Sequence, residues 1–208
     1  MTQGRPTRVR GLLALGAGLI LFGCAAVPEA GGRQSGAFDR PMSNRADSVE
    51  IPAGYGSLRV EEISISLVEG PLTIQITPLD EGVLRLLVPE THDRLSAIAA
   101  SEPAGSDMSR FLVSFYTETQ GLRFSQSELN LASQGRIHRP TRVQGITRGW
   151  GTGLLTQREP ATAVYSFSSL DLEQDFTVEY RTVRSDAWAA ILPRIQAERG
   201  RVRGRAGG

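Results

Sequence analysis

Residues 163–180 read AVYSFSSLDLEQDFTVEY, and this stretch decides the fold class that the sequence predicts. Apolar and aromatic side chains recur at every second residue in two runs, which are Ala163, Tyr165, Phe167 and then Phe176, Val178, Tyr180. A period of two is typical of strands that bury one face. Short strands of this kind, separated by turn signals, favour a β-sandwich over an α/β fold.

Further strands are predicted upstream of this stretch. Alternating or continuous apolar segments fall at residues 58–60, 63–67, 72–76, 83–88, 111–116, 129–131 and 136–143. The segment 83–88 is apolar except for Arg85, which predicts a central strand with both faces covered. At Glu61 and Glu62 the alternation shifts by one residue. We expect a bulge or a break there, because such a shift exchanges the two faces of a strand.

Two helices complete the predicted domain. Residues 91–100 begin with a threonine cap and carry apolar residues at helical spacing, which predicts a short helix across one end of the sheets. Residues 185–199 carry an apolar stripe that includes Trp188 and predict a C-terminal helix, which Pro193 should kink or restart. The stripe should lie against the body of the domain or against a partner. The fold class is therefore mainly β, an antiparallel sandwich over residues 56–184. The arginine- and glycine-rich tail, 200–208, is predicted to be disordered.

The order of segments in the second half resembles the Ig-like, telokin-type modules of bacterial lipoproteins. The matching stretches are Phe111 to Tyr116, Phe124 to Leu131, Ser133 to Thr141, Gln157 to Phe167 and Phe176 to Tyr180. The resemblance implies an Ig-like antiparallel β-sandwich. It concerns the fold and leaves the activity open, since one fold supports many functions.

The first 24 residues predict where the protein is located. Three arginines precede an apolar run that ends at Cys24, the only cysteine, and this order is that of a secretory signal. The tetrapeptide Leu21-Phe22-Gly23-Cys24 resembles the lipobox of bacterial lipoproteins. The resemblance implies that residues 1–23 are a signal peptide and that the Cys24 thiol carries fatty acyl chains of the palmitate type. Cys24 is thus the lipidation site, and membrane lipid is the first predicted partner.

Two points about this location stay open. The apolar run is also near the lower length limit of an uncleaved spanning helix, although its four glycines make it a poor one. The residue after the cysteine is Ala25 and not an aspartate. In this the sequence resembles lipoproteins that are sorted to the outer membrane. We expect a cell-envelope protein facing the periplasm or the exterior. Residues 24–55 lack any period and predict a flexible tether.

Charge and composition narrow the function classes. Without residues 1–23, the chain has 20 arginines, no lysine and 22 acidic residues, so its formal charge is 20 − 22 = −2. A nearly neutral domain has no broad positive electrostatic potential that would attract nucleic acid, so we expect no nucleic-acid partner. A single cysteine forms no internal disulfide, so the stability of the domain depends on its core.

No arrangement of residues in the sequence predicts catalysis or a cofactor. The two histidines, His92 and His138, are far apart in the sequence and do not have the spacing of metal ligands. His92 and Asp93 would suit an oriented base, but a solvated helix start explains them as well. The carboxylate pairs at 61–62 and 80–81 fit turns and edges, because adjacent strand residues point to opposite faces. The acidic alternation at 171–175 lacks the glycine of a calcium loop.

The glycine-rich turn around Trp150 is the most distinctive local feature. Gly149, Trp150, Gly151 and the glycine at 153 would present an indole to a partner or a sugar, or would fold it into the end of the sandwich. Trp150, Gly149, Gly151 and Trp188 are therefore the predicted contact residues. The function hypothesis is a non-enzymatic, lipid-anchored interaction or scaffold module that binds another envelope protein. The alternatives are a small-ligand or glycan binder at the Trp150 turn, and a hydrolase with a dispersed site.

Overall fold

The computed structural model describes residues 51–101, 108–168 and 170–207. They belong to a unit that runs from Asp47 to Gly208. The leader, Cys24 and most of the predicted tether lie outside the described residues. The fold is mainly β, with antiparallel sheets in a sandwich-like arrangement, a short helix after the first strands and a helix at the C-terminal end. This confirms the predicted fold class.

Eleven strands and four α-helices are formed by the described residues. The strands are β1 (Ile65–Glu69), β2 (Leu72–Pro78), β3 (Met108–Thr117), β4 (Leu122–Arg123), β5 (Leu129–Ser133), β6 (Arg136–His138), β7 (Arg142–Gly145), β8 (Leu154–Leu155), β9 (Ala161–Ser168), β10 (Thr177–Tyr180) and β11 (Val183–Ser185). The helices are α1 (Val60–Ile63), α2 (Glu81–Leu84), α3 (Pro89–Ala100) and α4 (Ala187–Ala206).

Two sheets form the body. The larger has five strands in the order β1-β2-β3-β9-β7, and the smaller has four in the order β11-β10-β5-β6. All pairs within them are antiparallel. The β5–β6 hairpin turns at Gln134 and Gly135, whose φ angles of 51° and 73° are both positive, as a two-residue type I′ turn requires. The short pair β4 and β8 lies outside both sheets.

Aromatic side chains join the two sheets and form the centre of the core. Phe115 of β3 meets Tyr180 of β10 with 5.7 Å between ring centroids, and Phe111 meets Phe176 at 5.9 Å. Phe111, Phe115 and Tyr180 are 0% exposed, as expected for the inward positions of an alternating strand. The alternation in residues 163–180 therefore predicts the buried face correctly, with Tyr165 on that face.

The predicted strand at 58–60 is wrong. Leu58 forms a single parallel bridge with Leu87, and α1 begins at Val60. The cause is local, because the Glu62 carboxylate accepts the Arg59 N–H at 2.9 Å and satisfies one of the free donors at a helix start. Ile63, on the inner side of this turn, is fully buried. The expected break in alternation at the glutamate pair is a helical turn.

The predicted central strand at 83–88 is also wrong. Asp80 caps α2 by accepting the Val83 N–H at 3.2 Å, and the chain then turns into α3. Val83, Leu84 and Leu87 are buried while Arg85 is exposed. A short apolar run does not distinguish a buried strand from a buried helical turn. The predicted helix at 91–100 is confirmed and begins two residues earlier, at Pro89.

The segment 136–143 is extended as predicted but belongs to both sheets. Residues of β6 pair with β5, and after Arg139 and Pro140 the chain enters β7, which pairs with β9. Pro140 has no backbone N–H to contribute to a ladder, which fits its place between the two strands. The result is one extended edge that passes from the smaller sheet to the larger.

The C-terminal helix is longer than predicted. Helix α4 runs from Ala187 through Pro193 to Ala206, so the prediction of a disordered tail from residue 200 is wrong for the described residues. Arg201 and Arg205 reach back to the buried carboxylate of Glu198 and hold the last turns. Pro193 lies inside the helix and does not end it.

Candidate functional site

The indole of Trp150 is a core group. It lies in a 3-10 turn, Trp150–Thr152, that follows β7, and its side chain contacts Phe115, Phe124 and Tyr165 with centroid distances of 5.6, 5.3 and 5.9 Å. Trp150 is 6% exposed. The structure therefore places the indole inside the sandwich, which is one of the two placements predicted for it, and the aromatic cluster occupies the faces that a partner or a sugar would need.

The glycines around this turn have different roles. A Cβ atom at Gly145 would lie 2.5 Å from Cδ1 of Trp150, so β7 passes the indole only because residue 145 has no side chain. Gly149 and Gly151 are exposed, and a Cβ at either would meet nothing within 4 Å. Of the predicted contact residues at this turn, the two glycines therefore lie on the surface and the tryptophan does not.

Trp188 is the first large residue of α4 and is 0% exposed. Its ring stacks on Phe176 with 5.0 Å between centroids. Its Nε1–H has no hydrogen-bond partner among the described residues. The structure places the apolar stripe of α4 against the sheets of its own domain, which is one of the two contacts expected for it, so the Trp188 indole does not reach the surface.

The residues where the chain enters the domain form a polar cluster that we call the tether junction, namely Tyr55, Ser57, Glu198, Arg201 and Arg205. The Glu198 carboxylate, 0% exposed, accepts the Ser57 N–H at 2.9 Å and the Ser57 hydroxyl at 3.0 Å. Arg201 and Arg205 donate to the same carboxylate at 2.8 and 3.1 Å. Arg205 also donates to the Tyr55 carbonyl at 2.8 Å.

This junction fixes the entering chain to two distant parts of the body. Gly56 donates its N–H to the Arg85 carbonyl at 2.8 Å, and a Cβ at Gly56 would lie 1.9 Å from the Leu86 carbonyl oxygen. Burial raises the pKa of the Glu198 carboxyl, but the hydrogen bonds from Arg201, Arg205 and Ser57 lower it more, and the net shift is downward. The carboxylate therefore stays ionised at neutral pH.

The sequence contains a signal for the burial of Glu198 in its position on α4. Trp188, Ile191, Ile195 and Glu198 follow one another at spacings of three, four and three residues, so the glutamate continues the apolar stripe of α4. A carboxylate on a buried helix face needs donors, because an unpaired buried charge is strongly unfavourable. The two arginines three and seven residues later supply them.

His92 lies in α3 among polar neighbours. Its Nδ1 is 3.0 Å from Asp93 Oδ1, its Nε2 is 3.2 Å from Ser96 Oγ, and its ring meets Tyr55 edge to face at 5.1 Å. The order serine, histidine, aspartate is that of a nucleophilic triad. Ser96 and its neighbours lie within a helix, whose interior N–H groups bond to the preceding turn and do not form an oxyanion hole. The arrangement fits a hydrogen-bonded helix surface.

The structure does not bring the other predicted chemical groups together. His138 lies in β6 and its Nδ1 is 3.3 Å from the Ser168 carbonyl oxygen. No group of three or more potential metal ligands occurs among the described residues. In the acidic alternation, Glu173 binds Arg199 and Gln196 of α4, and Arg199 lowers the pKa of the Glu173 carboxyl. Its carboxylate is thus paired within the domain.

Residues 136–148 comprise β6, β7 and the start of the turn after β7, and we call this segment, which contains arginines and no acidic residue, the basic edge. Its arginines are Arg136, Arg139, Arg142 and Arg148, and all four are exposed. The stretch 129–158 contains no aspartate or glutamate. Among the described residues, Arg136, Arg139 and Arg148 have no carboxylate within ion-pair distance. Two apolar side chains accompany them, Ile137 at 65% exposure and Ile146 at 48%.

No family model, no curated protein and no solved structure matches this chain. Within the part of the chain that the structure describes, no helix is long and apolar enough to cross a membrane.

Proposed function

We propose that the protein is a lipid-anchored, non-enzymatic interaction module of the bacterial cell envelope. The leader and its lipobox-like Leu21-Phe22-Gly23-Cys24 support the anchor. The observation that carries the proposal is the tether junction, where the chain that arrives from Cys24 is bound at Ser57 to a buried carboxylate of the last helix. Such an attachment would resist separation of the entering chain from the body when the tether is pulled.

The junction distributes a pull on the tether over the body. Force applied to the chain before residue 55 reaches α4 through Ser57 and Tyr55, and reaches the turn after α2 through Gly56. The next link is the Leu58 bridge to Leu87, with the Val88 N–H donating to the Leu58 carbonyl at 3.1 Å. The entering chain is therefore held at successive residues and not at a single one.

Metabolic labelling tests the anchor. Cells that express the full chain are grown with a radiolabelled fatty acid, and the protein is compared with its Cys24→Ala variant. We expect label in the wild type and none in the variant, since Cys24 is the only cysteine. A wild-type protein that carries no label and retains residues 1–23 would contradict the anchor.

Crosslinking in intact envelopes tests the interaction role. The variant of choice changes exposed residues, because Trp150 and Trp188 are core residues whose replacement would act through folding. We expect one reproducible partner with the wild type and its loss when Ile137 and Ile146 are both changed to Ser. The matched control is Val68→Ser, since Val68 is 62% exposed but lies on β1, at the other end of the larger sheet. Absence of any reproducible partner would remove the interaction role.

A ligand-binding role at the Trp150 turn is the alternative. A cavity of about 240 Å³ lies beside this turn between Arg148 and Glu159, and the indole does not line it. Ligand pockets are usually about 300–1,000 Å³, so this cavity suits only a small group. Saturable binding of cell-wall fragments that is weakened by Arg148→Gln would support this alternative, whereas the interaction module predicts no such binding.

A further inference from the structure

We propose that the basic edge binds an acidic, extended segment of a partner protein, which adds as a new strand alongside β7. The inference rests on the proposed interaction role and specifies the chemistry of the partner. Three observations support it, namely the charge of the edge, its open backbone and its position relative to the tether junction.

The charge of the edge selects an acidic partner. Arg136, Arg139 and Arg148 are exposed and have no carboxylate within ion-pair distance among the described residues, while Arg142 donates to Gln144 Oε1 at 3.3 Å. Other arginines of the domain, such as Arg158 and Arg181, are paired with glutamates. Complementary charge accelerates encounter and excludes partners of like charge.

The backbone of the edge selects an extended segment. Strand β7 pairs with β9 on one side and ends the larger sheet on the other. In an antiparallel strand, alternate N–H and C=O groups point away from the paired neighbour, so an edge strand offers them to an added strand. Natural proteins often protect such edges, and peptide recognition by strand addition uses the ones that stay open. The exposed Ile137 and Ile146 supply apolar contact at both ends.

The position of the edge favours a protein partner over the protein's own membrane. Helix α4, which carries Glu198 of the tether junction, packs on β1 and α1. Strands β1 and β7 are the two edge strands of the larger sheet. Four strand spacings of about 4.8 Å lie between them, which corresponds to about 19 Å. Strand β7 of the basic edge thus lies at the opposite edge of the larger sheet from the strand that α4 contacts. A lipid surface also provides no backbone groups to pair with β7.

Binding of designed peptides to the full chain in detergent tests the proposal. The probe is a fluorescein-labelled octapeptide of alternating Thr and Glu, and the charge control replaces Glu with Lys. The backbone control carries N-methyl groups at alternate residues, which keeps the charge and prevents pairing with a strand. We expect saturable binding of the acidic probe, at least tenfold weaker binding of the methylated one, none of the lysine peptide, and weaker binding as salt increases.

Protein variants locate the site. The triple variant Arg136→Gln, Arg139→Gln, Arg148→Gln should bind the acidic probe at least tenfold more weakly. Arg94→Gln is the matched control, because Arg94 is an exposed arginine of α3. The acidic probe should also increase the hydrogen-exchange protection of residues 142–146. Thermal unfolding of each variant verifies that the fold is retained.

Three results would overturn the proposal. They are equal binding of the methylated and unmethylated peptides, equal binding by the triple variant and the wild type, or no binding of the acidic probe at all. Binding to phosphatidylglycerol vesicles that needs the three arginines, without peptide binding, would assign the edge to membrane. A partner that still crosslinks in envelopes while the peptide fails to bind would leave the interaction role standing and remove only the acidic strand.

Discussion

Replacement of Glu198 is the most direct test of the tether junction. The carboxylate is fully buried and accepts four hydrogen bonds, two from Ser57 and one each from Arg201 and Arg205. Glu198→Ala removes the acceptor and leaves both Ser57 donors and the two guanidinium groups without their partner. Glu198→Gln keeps the shape and one acceptor oxygen but removes the charge. Comparison of the two variants therefore separates the effect of the charge on stability from the effect of the side-chain volume.

The structure sets the size of the effect. Hydrogen bonds to a charged group contribute roughly 1.5–3 kcal/mol each, but those from exposed arginines are at the low end, because exposed ion pairs contribute only about 0–1 kcal/mol. The side chains of Arg201 and Arg205 are 63% and 33% exposed, whereas the carboxylate is 0% exposed. We expect Glu198→Ala to lower the free energy of unfolding by about 3 kcal/mol and Glu198→Gln by about half of that.

Urea unfolding followed by tryptophan fluorescence measures these values, since both tryptophans are buried and become solvated on unfolding. In a chain of this length, a loss of about 1 kcal/mol in unfolding free energy lowers Tm by about 2–4 °C. Glu198→Ala should therefore lower Tm by about 6–12 °C. Glu61→Ala is the matched control, because Glu61 is exposed on α1. Limited proteolysis should cleave the Ala variant faster at residues 51–57 than the control.

The pH dependence gives an independent check. The folded-state pKa of Glu198 is lower than its unfolded value, which is about 4.3. The stability from this group is therefore present above the unfolded pKa and is lost as pH falls through the folded pKa. The difference in unfolding free energy between wild type and Glu198→Gln should be constant from about pH 5 to pH 7 and shrink below about pH 4. An Ala variant within about 0.5 kcal/mol of the wild type, or a difference that grows in acid, would contradict a stabilising role of the Glu198 carboxylate at the tether junction.

Three further predictions concern the core. Trp188→Ala should lower the free energy of unfolding by about 3–5 kcal/mol, measured by urea titration, because a fully buried indole is lost. Gly145→Ala should cost about 1–3 kcal/mol and shift the fluorescence of Trp150, since the new Cβ overlaps the indole. Gly56→Ala should reduce the yield of folded protein, whereas Gly149→Ala, which meets open space, should leave Tm within about 2 °C. A normal yield of folded Gly56→Ala, or a large decrease in the Tm of Gly149→Ala, would contradict the packing described around these two glycines.

The sequence predicted the strands whose alternation is regular, and it failed where a turn was specified by a single side-chain hydrogen bond. Strand β2 and the strands around Tyr165 and Val178 follow from period two alone. The turns of α1 and α2 depend on Glu62 and Asp80 accepting backbone N–H groups, which an apolar pattern does not report.

The candidate sites were harder to predict than the strands. An indole among glycines has the same sequence whether it points outward or inward, and the aromatic cluster that covers Trp150 comes from Phe115, Phe124 and Tyr165, which are distant in the chain. The basic edge was visible as four arginines without an acid, but its open position required the order of the strands. Only the tertiary fold determines which residues reach the surface.

The hydrogen bonds from Ser57 to Glu198 join residues that are 141 positions apart in the sequence. The start of the described domain is therefore held in place by helix α4. A chain synthesised from its amino end must extend past Glu198 of α4 before the entrance of the domain can close, and contacts between residues so far apart in the sequence slow folding. In a polypeptide that ends before residue 198, Tyr55 and Ser57 would lack their hydrogen-bond partners on α4 even if all the strands had paired. The entrance of the domain therefore closes only after residues 198–205 have been synthesised.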